Sequence, residues 1–138
     1  MNTLIWVVSG VLVSAAGGTV LLDLRNRRIA YSRRGEGYED FRRHFAGQGI
    51  EEPITSSVYH YFEDWMQSAL AKEFPVQPAD MIDDIYGIVD EDVEDMLKDV
   101  LEKANRRLPN ENEMKPPVDL QTVGDVVEFV AQCPKQVS

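Results

Sequence analysis

Tyr86-Gly87-Ile88-Val89-Asp90-Glu91-Asp92-Val93 runs on through Met96-Leu97, Val100-Leu101 and Ala104. This stretch decides the fold. A glycine-bearing loop leads into a segment whose apolar residues return every three or four positions, the period of a helix with one buried face. Asp90 stands where a capping residue would start that helix. Glu91, Asp92, Glu94 and Asp95 crowd its first turns, where the helix dipole favours negative charge. Lys98, Lys103, Arg106 and Arg107 follow toward its end, and Leu108-Pro109 is read as the stop.

Upstream lies a second amphipathic segment. Val58, Tyr61, Phe62, Trp65, Met66, Ala69 and Leu70 recur at helical steps, with Phe74 closing the run. Gly47, Gly49 and Pro53 precede it as breakers, and Thr55, Ser56 or Ser57 is the expected cap. His60, Glu63, Asp64 and Gln67 occupy the opposite face. Pro75 and Pro78 end the segment, because proline lacks the amide and clashes with the preceding turn. In the connection that follows, Met81, Ile82 and Ile85 are expected inward and Asp80, Asp83 and Asp84 at a solvated edge. Before this helix, Tyr38, Phe41, Arg42 and Phe45 mark a short one. After the central helix, Asn110 to Pro117 reads as a loop. Thr122-Val-Gly-Asp125 then resembles a capping box and opens a last helix burying Val123, Val126, Val127 and Val130. The expected fold class is all-α.

The N-terminus differs in kind. Leu4 to Leu22 is 19 residues without a charge. As a helix it spans about 28 Å, close to the hydrocarbon thickness of a bilayer. A cleaved secretory signal carries positive charge ahead of its apolar run. Here Arg25, Arg27, Arg28, Arg33 and Arg34 come after it, which favours a retained single-pass anchor with the C-terminal body on the cytoplasmic side of an inner or plasma membrane. Gly10, Ser14 and Gly18 form a stripe of small residues, a pattern through which membrane helices self-associate. The resulting division is an anchor with a basic collar over 1–34, a linker with a short helix over 35–56, a helical domain over 57–133 and a tail over 134–138.

Charge excludes some functions. From Met1 to Arg43 seven arginines face four acids, whereas from His44 onward seven basic residues face twenty acids. An acidic body repels nucleic acid and suits a partner with a basic face. Cys133 is the single cysteine, so no internal disulfide is available, and two histidines at no ligand spacing give no metal site. Asp80-Met-Ile-Asp-Asp-Ile-Tyr-Gly does not follow the order of a calcium loop. His60 beside Glu63 and Asp64 is the nearest thing to an acid–base group, and a solvent-facing histidine next to carboxylates explains it without catalysis. No nucleophile elbow or phosphate loop is present. Neither an enzyme nor a cofactor is expected.

From Ser57 to Val130 the chain resembles the acyl carrier protein superfamily, in particular a bacterial group of carrier-like proteins of uncharacterised role. The residues that carry the resemblance are the long first helix, the loop Asp84-Ile85-Tyr86-Gly87-Ile88-Val89, the acidic helix from Asp90-Glu91-Asp92, and Thr122-Val123-Gly124-Asp125-Val126-Val127-Glu128-Phe129-Val130. The last is the most specific, since the family's final helix commonly opens Thr-Val-x-Asp. The resemblance implies a small helical bundle after the anchor, whose acidic helix meets basic faces of partner proteins. Carriers attach phosphopantetheine to a serine at the position Asp90 fills, and no serine or threonine lies between Ser68 and Thr122. A carboxylate has no hydroxyl to esterify. The expectation is therefore a membrane-anchored, non-enzymatic domain that docks a protein through Glu91, Glu94, Asp95 and Asp99. The alternative is an acyl or peptidyl carrier in lipid metabolism, modified at an atypical position.

Overall fold

The structure, a computed structural model, describes residues 23–70, 73–110, 112, 113 and 119–137, the side chains of 68–70 apart. The expected anchor Leu4–Leu22, with Gly10, Ser14 and Gly18, lies outside the described residues, as do the side chains of Ala69 and Leu70. Among the described residues no helix is long and apolar enough to cross a membrane. The chain divides into two units at Arg34 and Gly35. In the first, residues 23–32 are helical. An Asp23–Arg27 ion pair at 3.0 Å spans one turn there, and the Arg34 guanidinium lies 4.3 Å over the Tyr31 ring.

The second unit is all-α: α1 (Tyr38–His44), α2 (Glu52–Leu70), α3 (Asp90–Lys103) and α4 (Val123–Gln132). Among the described residues, two isolated antiparallel bridges are the only extended pairing. Helix α2 is the hub, packing on α1, α3 and α4. Its sequence explains why. Ile54, Val58, Phe62 and Met66 step by four along one line, and Thr55 with Tyr59 lies a residue further round; all are buried. That makes a stripe wider than one neighbour can cover. On one side of it α1 contributes Phe41 and Phe45. Phe41 meets Tyr59 edge-on at 5.2 Å between ring centroids, and the Tyr38 hydroxyl is 3.1 Å from Thr55 Oγ1. In the stretch 35–56, expected as a linker with a short helix, Phe41, Phe45, Ile54 and Thr55 are buried.

The start of α2 corrects the expectation. The helix begins at Glu52, with Pro53 inside its first turn rather than breaking the chain before it. The first amides of a helix have no intrahelical acceptor, so a missing N–H costs nothing there. Thr55 and Ser57 therefore do not cap. Their hydroxyls donate back to Glu52 and Ile54 carbonyls at 3.1 and 3.0 Å.

From 73 to 89 the chain is irregular yet buried: Phe74, Val76, Ile82, Tyr86 and Ile88 are all in the core. Asp80, expected at a solvated edge, is 4% exposed. Its carboxylate accepts from the Tyr86 hydroxyl at 2.7 Å and from the Gln77 amide at 3.0 Å. Asp83 and Asp84 are exposed as expected. The loop is then tied to the start of α4. Ile82 N–H donates to Gln121, Val123 N–H to Asp80 and Gly124 N–H to Pro78, at 2.8–2.9 Å. A Cβ on Gly124 would stand 3.1 Å from the Pro78 carbonyl oxygen, a tight contact that glycine avoids.

Helix α3 buries Met96, Val100 and Leu101. Two expectations fail at its ends. Val89 holds the N-cap position, and Asp90 is the first helical residue. The helix ends at Lys103, well before Leu108-Pro109. Asn105 takes a left-handed φ of 57°, and the Arg106 amide reaches back to the Leu101 carbonyl at 2.8 Å. That is the hydrogen bond of a Schellman stop, with Asn in the role glycine commonly fills. The turn points Arg106 inward, where its guanidinium donates to the Cys133 carbonyl at 2.8 Å and to Glu51 at 3.2 Å. Lys135 meets the other Glu51 oxygen at 3.0 Å. One carboxylate so joins the start of α2, the exit of α3 and the tail. The capping box of α4 is as expected. Thr122 Oγ1 accepts from the Asp125 amide at 3.1 Å, and the Asp125 carboxylate accepts from the Thr122 amide at 2.9 Å. Val123, Val126, Val127 and Val130 are fully buried.

Phe62→Ala is expected to cost about 3–5 kcal/mol in urea unfolding, the range for removing a buried aromatic ring. The Lys135 and Arg106 cations hold the Glu51 carboxyl below its ordinary value. A depressed folded pKa contributes stability above the unfolded pKa, lost as pH falls through the folded one. Glu51→Gln should therefore lower the melting temperature at pH 7, with the deficit closing as the pH falls below about 4, the unfolded carboxylate range.

Candidate docking face

The four acids nominated from sequence fall within an arc of about 140° around α3, with Glu91 between Glu94 and Asp95. At about 100° per residue, Asp95 and Asp99 lie within about 40° of each other around α3, whereas Glu94 lies about 100° or more from both. Glu94 is engaged with Lys98 at 3.3 Å and Asp99 with Lys103 at 3.2 Å, both across one turn. Glu91 and Asp95 are exposed, and among the described residues neither has an ion-pair partner.

Asp92, which the sequence reading left out, belongs beside Asp99, about 20° away around the helix. This flank faces α2. The Tyr61 phenol is pushed above its ordinary pKa, first by burial and then by the carboxylates of Asp99, Asp92 and Asp95. Tyr61 in turn stacks on Trp65, with ring centroids 6.2 Å apart and planes 28° from parallel. Trp65, one of the residues that recur at helical steps along α2, is 37% exposed. Its indole N–H is held by the Tyr86 carbonyl at 2.7 Å. The ring is therefore fixed between α2 and the loop, with part of its surface in solvent. Val89 at the mouth of α3 is also exposed. The result is an aromatic step on α2, with Asp92, Asp95 and Asp99 of α3 near enough to raise the Tyr61 phenol. The periodicity of α2 placed Tyr61 and Trp65 on the inward stripe. What it missed is that they sit at the stripe's edge, Tyr61 half-buried and Trp65 exposed.

Asp90 is exposed and lines an open groove of about 280 Å³ with Met81, Ile82, Ile88, Val93 and Leu120. His60 Nδ1 lies 3.2 Å from Glu63 Oε1 on an exposed part of α2, and Asp64 points to solvent. Among the described residues no group of three or more histidine, cysteine or carboxylate side chains is arranged to hold a metal ion. Cys133 is buried, and burial pushes its thiol up, away from the reactive thiolate. No family model, curated protein or solved structure matches the chain.

Spectrophotometric titration should place the Tyr61 phenol, assigned by its loss in Tyr61→Phe, above pH 10. In an Asp92→Asn, Asp95→Asn, Asp99→Asn variant it should titrate lower, yet stay above an exposed tyrosine because the burial remains.

Proposed function

We propose that residues 35–138 form a non-enzymatic docking domain, tethered to a membrane and meeting a basic protein partner through the acidic surface of α3. The observation that carries the reading is the placement of the acids. Glu91 and Asp95 face solvent without counter-ions among the described residues, and Asp92 and Asp99, the latter paired with Lys103, lie near enough to α2 to raise the Tyr61 phenol. Such a surface steers and orients a partner of opposite charge more than it tightens the complex. The tether is Leu4–Leu22, with the arginine collar setting the orientation that leaves the body in the cytoplasm. Gly10, Ser14 and Gly18 provide a route to self-association within the bilayer.

The carrier-like reading is supported by the order of a long helix, a buried loop, an acidic helix and a closing helix capped by Thr122 and Asp125. In this reading the acidic recognition surface is kept and the prosthetic group is not, because Asp90 offers no hydroxyl at the start of α3.

The full chain is expected to sediment with membranes and to resist extraction by carbonate. In pull-downs from detergent extracts, its partners should dissociate as salt rises toward about 0.5 M, where exposed charges are screened within a few ångströms. Retention of the same partners in high salt would contradict docking by charge. Co-expression with a phosphopantetheinyl transferase should leave the intact mass unchanged.

A further inference from the structure

Granted the docking reading above, on which it rests, we propose that the anchor of the contact is an arginine of the partner protein, seated on the Tyr61–Trp65 step and hydrogen-bonded to the carboxylates of Asp92, Asp95 and Asp99. Three observations converge. The two rings are stacked and Trp65 keeps 37% of its surface in solvent. The indole is pre-set by its bond to the Tyr86 carbonyl, so no ordering is needed on binding. The carboxylates fall along one flank of α3, the helix packed on α2, near enough to raise the Tyr61 phenol, with Asp99 also paired to Lys103, within a body that carries twenty acids against seven basic residues from His44 onward. Aromatic surface alone suits any apolar partner, and carboxylates alone suit any cation. A guanidinium matches both, because its plane lies flat on a ring while its edge donates to carboxylates; an ammonium is a compact, strongly hydrated point charge without that geometry.

The test uses the full chain in neutral detergent with fluorescently labelled nona-arginine and nona-lysine peptides, equal in charge, read by anisotropy at low salt. The arginine peptide is expected to bind about two- to fivefold more tightly, the gain of a cation over an exposed ring. Tyr61→Leu should bring it down to the level of the lysine peptide and leave the latter unmoved. Asp92→Asn, Asp95→Asn, Asp99→Asn should weaken both. A second readout leaves the site intact. With Trp6→Phe, Trp65 is the one tryptophan left, and the arginine peptide should change its emission more than the lysine peptide does. Equal affinities with unchanged emission, both peptides still lost in the triple variant, would overturn the arginine anchor and leave docking by charge standing. Binding of neither peptide would overturn both.

Discussion

The second unit depends on one constraint: α2 has more apolar circumference than any single neighbour can cover. Phe62 is the clearest case. It is fully buried and meets Tyr86 from the loop at 4.8 Å between ring centroids, while Tyr59, three residues earlier, meets α1. Burial of this kind is the main favourable term in folding, and it has no direction of its own. Direction comes from the polar contacts that fix what lies against α2. The Schellman stop after α3 turns the chain back, Arg106 ties the exit to Glu51, and the Asp80–Tyr86 bond shapes the loop.

That loop links fold to function. Residues 73–89 use almost no regular structure, yet they bury five large apolar side chains and bond to the start of α4. Tyr86 does two jobs. Its hydroxyl satisfies buried Asp80, and its carbonyl holds the Trp65 indole. The orientation of the exposed aromatic step is thereby inherited from the core. The acids of α3 come next along the same chain, one residue past Val89, so the rings and the charges are positioned by one loop.

Helical periodicity made α2, α3 and α4 legible, because each carries its apolar residues at steps of three and four over at least two turns. The capping box at Thr122 and Asp125 was legible because it is a local bond with a fixed spacing. Ends that depend on distant partners were not. Pro53 looks like a breaker until the helix is seen to start one residue before it. The α3 stop rests on Asn105 adopting a left-handed φ, which asparagine permits without announcing. Asp80 reads as one more surface acid among three, and only the Tyr86 hydroxyl, six residues on, reveals it as buried. At the candidate site, spacing nominated Glu91, Glu94, Asp95 and Asp99 on α3 but left out Asp92 and the neighbouring Tyr61 of α2.

Amide hydrogen exchange followed by NMR tests most directly the claim that the loop is locked into the core and so positions the docking face. The Ile82, Val123 and Gly124 amides, which bond across from loop to α4, are predicted to exchange as slowly as those of Phe62 and Met66 in α2, through global unfolding alone. Exchange of these three amides several orders of magnitude faster than the α2 core, at rates typical of a surface loop, would contradict the account.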